Sequence, residues 1–217
     1  MRRWYGFVAA LIAGVVSAIA WPHLPPRVAS HWNLHGVADG WSSRTWAAYF
    51  GPVMILAITL VMQVLPKIDP RRRNYAKFWP VFWLVVNLII TFIFVLHLAL
   101  MANGMGAGVN PVVVIGIALG VMMIVIGNYL SRVRPNWFIG IRTPWTLESP
   151  EVWRKTHKVG GWLFVTAGVL TLASIALIGP RGMMVAFVSV MTAAVGSALL
   201  SLVFWMQEQK QKGKGES

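Results

Sequence analysis

Three histidines, His23, His31 and His35, lie in one short segment, WPHLPPRVASHWNLHGVADGWSSR. His31 and His35 are four residues apart. On a helix that spacing puts two imidazoles on one face, and with Asp39 they could ligate zinc. The neighbouring residues argue against it. Two prolines precede the pair and Gly36 follows it, so any helix here is short. Trp32 stands where a metalloprotease helix would carry its glutamate. The expectation is no metal. Asn33, Gly36, Asp39 and Gly40 are turn formers that bond their own backbone. Trp21, Trp32, Trp41 and Trp46 suit head-group depth. The segment therefore reads as an ordered polar cap, and as the only surface on its side large enough to meet a ligand.

A second polar stretch, NWFIGIRTPWTLESPEVWRKTHKVGG, holds four positive and two negative side chains between Asn136 and Gly161. Gly140, Pro144 and several aromatic residues make its first half irregular. SPEVW is a helix start: Ser149 is the N-cap, Pro150 the first helical residue and Glu151 part of the first turn. Glu151 and Lys155 then pair at i, i+4. Trp153 and His157 follow one helix face. Arg142, Glu148, Glu151 and His157 are expected to gather as a polar cluster, with Arg142 paired to Glu148 or Glu151. The plainest role for the stretch is an elbow that fixes the angle between two helices.

Neither stretch forms a recognisable catalytic set. Cysteine is absent, which removes disulfides, thiolate nucleophiles and Cys-based zinc sites. No Ser/His/Asp arrangement can be discerned. The chain is expected to act by binding, without catalysis and without a cofactor.

The elements that position these stretches are apolar. The 217 residues are 57% hydrophobic and only 12% charged. A soluble domain averages about 25% charged, so most of this surface does not face water. Runs of about 20 apolar residues cross the hydrocarbon as helices. Six such spans are expected, at 4–21, 47–66, 78–102, 111–130, 159–178 and 183–206, in an all-α polytopic membrane protein forming a single domain. Sixteen of the nineteen Lys and Arg fall on the side that carries both termini; Arg27, Arg44 and Arg181 fall on the other. That bias puts both termini in the cytoplasm. Residues 22–46 become the external loop and 131–158 a cytoplasmic loop. The tail QEQKQKGKGES is expected to be disordered. The net charge of +13 fits anionic lipid rather than nucleic acid, because no basic segment is long enough to track a phosphate backbone.

Within the spans, His97 is the only titratable group, expected neutral and bonded to a neighbouring helix. No intramembrane carboxylate offers a proton path, which disfavours a proton-coupled transporter. The GIALG segment (Gly116 to Gly120) permits close helix approach, expected within the chain.

The pattern N-x-x-I-G-I-R-T-P-W-T-L-x-S-x-E-V-W-x-K-T-H closely resembles the signature of the SdpI family of bacterial multi-pass membrane proteins. Asn136, Ile139, Gly140, Arg142, Thr143, Pro144, Thr146, Glu151, Val152, Trp153 and His157 carry the match. The external segment resembles the domain of unknown function often found N-terminal in the same proteins, through His31, Trp32, Asn33, Gly36 and Asp39. The family includes a protein that gives a producer cell immunity to its own membrane-active toxin and that holds a small repressor at the membrane. The resemblance implies a bacterial plasma-membrane protein of toxin resistance. Its partners would be lipid, a peptide toxin outside and a small repressor inside, and the binding residues would be Asn136, Gly140, Arg142, Thr143, Pro144, Glu151, Trp153 and His157 of one motif and His31, Trp32, Asn33 and Asp39 of the other. A small-solute or ion transporter or channel is the rival reading.

Overall fold

A computed structural model describes residues 3–33 and 35–215. Arg2, counted above among the cytoplasmic charges, lies outside them. The elements in chain order are α1 (Tyr5–Ala20), β1 (Arg27–Trp32), β2 (Ala38–Ser43), α2 (Arg44–Ile68), α3 (Trp79–Gly104), α4 (Pro111–Leu130), the short α5 (Pro144–Glu148), α6 (Pro150–Ile178) and α7 (Met183–Gly215). Five stretches are long and apolar enough to cross a bilayer, and the last of them, Pro150–Lys214, has 65 residues. It breaks at Gly179–Gly182, where Gly179 takes a positive φ of 60°. α6 and α7 then fold back on each other.

The helices begin where their caps dictate. Ser43 accepts from Trp46 N, Asn110 from Val112 N and Val113 N, and Ser149 from Glu151 N and Val152 N. Pro111 and Pro150 occupy first-turn positions, where a missing N–H costs nothing. α7 continues through Gly215, so the tail is not disordered as expected, and only its last two residues lie outside the described structure. A Lys212–Glu208 pair at i, i+4 supports that end, with Lys212 and Lys214 in the last turn, where cations favour the helix dipole.

Lipid tails are as apolar as leucine, so these helices associate through close packing and hydrogen bonds rather than through the hydrophobic effect. α1 buries a stripe of small residues, Gly6, Ala9, Ala13, Ser17 and Ala20, against α2 and α3. Its opposite face, with Leu11, Val15 and Ile19, is exposed. α4 and α6 meet backbone to backbone. A Cβ on Gly168 would lie 2.6 Å from Gly120 O, and one on Gly127 2.6 Å from Gly161 O. The expected close approach of GIALG is therefore an intramolecular contact between α4 and α6. Two groups result, α1–α2–α3 and α4–α6–α7, joined through α3 and α4.

The segment expected as an ordered polar cap is built as a β-hairpin, an addition to the all-α fold. β1 and β2 pair antiparallel, with irregular register between Ala29 and Trp32. Gly36 at the turn packs close to Pro180, which places the hairpin over the α6–α7 turn. The loops 69–78 and 131–149 meet at the opposite end.

Candidate functional site

At that opposite end Asn136, Thr146, Val152, Trp153 and His157 of the motif are buried. Asn136 is fully buried. Its Oδ1 accepts from Phe138 N at 2.8 Å and Ile139 N at 2.7 Å, and its amide donates to Arg134 O and Ile139 O. This is an Asx turn closed on both sides. Trp153 Nε1 donates to Val133 O at 2.8 Å, tying α6 to the end of α4. Gly140 has φ +111°, which a side chain rarely adopts, and any Cβ there would strike His157 Nε2.

His157 is fully buried and stacks on Trp153, with ring centroids 4.1 Å apart. Its Nδ1 lies 2.8 Å from Trp153 O, and its Nε2 accepts from Ile141 N at 3.1 Å. A carbonyl can only accept and a backbone N–H can only donate. Both bonds form only in the neutral ring with its proton on Nδ1. His157 therefore has no spare lone pair for a metal or a substrate proton.

Thr143 caps α5 in a reciprocal box with Thr146, with Pro144 at the first helical position. The Thr143 hydroxyl also meets Ser201 Oγ of α7 at 2.8 Å. α7 is tied in twice more: Ser149 Oγ donates to Glu208 at 2.6 Å, and Trp205 Nε1 donates to Glu148 at 3.0 Å.

The anchor beneath the loop is Asp69, a residue outside both polar stretches. It is 2% exposed. It accepts from Arg71 N at 2.7 Å, Tyr75 Oη at 2.8 Å and Trp137 N at 2.9 Å. Burial, then the hydrogen bond to Asp69, pushes the Tyr75 phenol well above its ordinary pKa, while the Arg142 cation acts the other way. Tyr75 thus keeps its proton and donates it. Arg71 donates to Leu147 O, and Asn74 to Pro135 O at 2.8 Å. The segment 69–78 is otherwise basic, with Arg71, Arg72, Arg73 and Lys77. Its lone acidic residue among basic neighbours was the available signal.

The expected cluster of Arg142, Glu148, Glu151 and His157 does not form. Arg142 is exposed and turns back to Trp137 O within its own loop. Glu151 pairs with Arg154 at 2.6 Å and with Lys155 at 3.5 Å, the expected i, i+4 partner. One helical turn brings both cations to the same face, whereas the kink at Gly140 points Arg142 elsewhere.

At the hairpin end, Asn33 Oδ1 accepts from His35 N and Val37 N, the turn-forming role expected of it. His31 Nδ1 meets Asp39 Oδ1 at 2.5 Å in an exposed pair. His31 lies in a strand and His35 in the turn, so the helix spacing that suggested a shared face does not apply. Among the described residues no three His, Asp or Glu side chains gather as a metal site. Trp32 faces a cavity beneath the hairpin.

Residues 132–205 match the SdpI/YfhL protein family, and residues 8–56 match a domain of unknown function, DUF1648. The first match covers the loop with α6 and most of α7; the second covers α1, the hairpin and the start of α2. The chain is also similar to the immunity protein SdpI of Bacillus subtilis (strain 168), with 25% identity over 198 residues, which is 91% of this chain and 93% of that protein. No solved structure matches it significantly. Both matched regions lie in one apolar, many-helix chain, a multi-pass membrane protein that is similar over those residues to the SdpI/YfhL family and to DUF1648.

Proposed function

We propose that this protein gives the cell that carries it resistance to a membrane-active peptide, by binding and without catalysis. The observation that carries the reading is the likeness to a protein named for immunity, which runs through both matched regions and almost the whole chain. The arrangement suits such a role. The hairpin end presents Trp41 and Trp46 at its surface, while the buried Asp69, Tyr75 and His157 of the loop end are engaged internally. The single membrane domain crosses the bilayer six times, through α1, α2, α3, α4, α6 and α7. Lys and Arg assign the loop end to the cytoplasm and the hairpin to the outside. The exposed rim of the loop, with Trp137, Arg142 and Glu151, is the surface on which a small cytoplasmic repressor would be held, so a signalling role belongs to the same reading.

Survival tests it. Sensitive bacteria expressing the protein should outlive vector controls when challenged with a secreted membrane-active peptide. No protection against any of a panel of such peptides would sink the reading. Sidedness is tested separately in this cysteine-free chain. Val37→Cys and Arg73→Cys, both at exposed positions, should react with an impermeant thiol reagent from opposite faces of the membrane. Reaction of both in intact cells would overturn the six-span orientation.

A further inference from the structure

The loop end is divided by charge. Among the described residues its exposed or half-buried carboxylates, Glu148, Glu151 and Glu208, belong to α5, α6 and α7. Glu151 and Glu208 pair with nearby cations there, and Glu148 accepts from Trp205. The other side is formed by residues 69–78 and 131–137. Its single carboxylate, Asp69, is buried and already takes three protein donors. Five cations stand exposed on that side: Arg72, Arg73, Lys77, Arg132 and Arg134. Among the described residues none of the five forms an ion pair. Arg132 lies over the ring of Tyr129, 4.8 Å from its centroid.

The fold holds these like charges together. Arg72, Arg73 and Lys77 lie on one 3-10 turn, Arg72–Lys77, which buries Tyr75 and leaves those three outside. Asn74, beside Arg73, donates to the carbonyl of Pro135, beside Arg134, at 2.8 Å. Asp69 ties the same two segments by accepting from Trp137 N at 2.9 Å. The segments belong to different helix groups: 69–78 joins α2 to α3, and 131–137 follows α4. Cations gathered along this seam repel one another, and an anion lying across it would turn the repulsion into attraction.

We infer that the seam binds the head group of one anionic phospholipid, with Arg73 of one segment and Arg134 of the other on its phosphate and Arg72, Lys77 and Arg132 around them. Position, chemistry and charge select that partner. Lys77 lies two residues before the first residue of α3, and Arg132 and Arg134 lie two and four residues after the last of α4. The cations therefore ring the ends of two long apolar helices, at the depth of the head groups. Four of the five are arginines, whose fork of donors matches two phosphate oxygens, whereas the end of α7 carries only lysines, Lys210, Lys212 and Lys214. A zwitterionic head group would bring a further cation into the cluster, which an anionic one does not. The bound lipid then bridges the two helix groups where their loops meet. The inference does not depend on the resistance reading.

Native mass spectrometry of the full chain in detergent, titrated with phosphatidylglycerol or phosphatidylcholine, reads the lipid retained. The expected result is one phosphatidylglycerol held at concentrations about tenfold below those needed for phosphatidylcholine. In the double variant Arg73→Gln/Arg134→Gln the affinity for phosphatidylglycerol should fall about tenfold to thirtyfold. Lys158→Gln/Lys210→Gln removes the same charge from exposed positions on α6 and α7 and should leave that affinity unchanged. Equal retention of the two lipids by the parent overturns the inference. Equal losses in the two double variants also overturn it, because they would mean a diffuse field and no site. Displacement of the lipid by deca-aspartate, at concentrations below that of the lipid itself, would assign the seam to a soluble acidic partner and overturn it as well. Thermal unfolding checks that the Arg73/Arg134 variant is folded. If it is not, Arg73→Gln and Arg134→Gln singly take its place, each with an expected loss of about threefold to tenfold.

Discussion

Asp69 and Asp39 are aspartates at opposite ends of the bundle, Asp69 just after α2 and Asp39 in β2. Asp69 is buried and takes three donors, from Arg71, Tyr75 and Trp137, which join two loops distant in sequence. Asp39 meets His31 alone, in the open. The contrast extends to the histidines. His157 at the loop end has both nitrogens engaged, while His97, nearer the hairpin, keeps a buried nitrogen without a partner. A dense polar motif is thus no guide by itself to where a ligand binds. At the loop end the density is the means of folding an irregular loop, because most of the buried polar groups there find partners, Thr156 Oγ1 of α6 being an exception.

The largest expected effect breaks this contrast at its anchor. Asp69→Ala leaves three donors without an acceptor, one buried and two partly buried, and each unmet buried group costs about 1–3 kcal/mol. The loss should total about 3–5 kcal/mol. Thermal unfolding in detergent should show a midpoint roughly 10 °C lower. Asp39→Ala removes the same carboxylate from an exposed pair and should cost under about 1 kcal/mol. Equal shifts in the two variants would show that the ends do not differ as described.

Much of this was legible in the sequence, for a reason of length. Apolar runs of about 20 residues can do little but cross a bilayer as helices, and among the described residues five stretches long and apolar enough to do so lie on those runs. The hairpin was hidden. Its strands have six residues each, β2 is the poor strand former ADGWSS, and the irregular register breaks the alternation that marks a strand. The cap residues Ser149, Pro150 and Glu151 were readable because capping is local. Asn136, Gly140 and His157 were visible as motif members, but not their functions. Those depend on which backbone atoms come within about 3 Å after a turn that only the positive φ of Gly140 permits. Asp69 was missed because its partners lie on another loop. His97 was correctly placed against a neighbouring helix, yet its unmet nitrogen follows from Ser17 of α1 and Gly51 of α2, which no local pattern connects.

The smallest expected effect sharpens the comparison at a part of the loop end that faces outward. Arg142 lies exposed on Trp137 O, and Glu151 bridges Arg154 and Lys155 at the surface of α6. Arg142→Lys removes the rigid fork of donors, and Glu151→Gln removes one charge. Neither change unseats Asn136, His157 or Asp69, and exposed ion pairs contribute little to folding. The thermal midpoint, the membrane abundance and the survival of peptide-challenged cells should all match the parent. A lost survival advantage at an unchanged midpoint would move the protective site to the loop end and defeat the comparison. A lowered midpoint would mean that the rim is part of the closed architecture. If survival holds while a signalling output falls, the loop end serves the cytoplasmic partner and the hairpin end the peptide. That division is the one expected if buried polar groups build the fold and exposed ones meet partners.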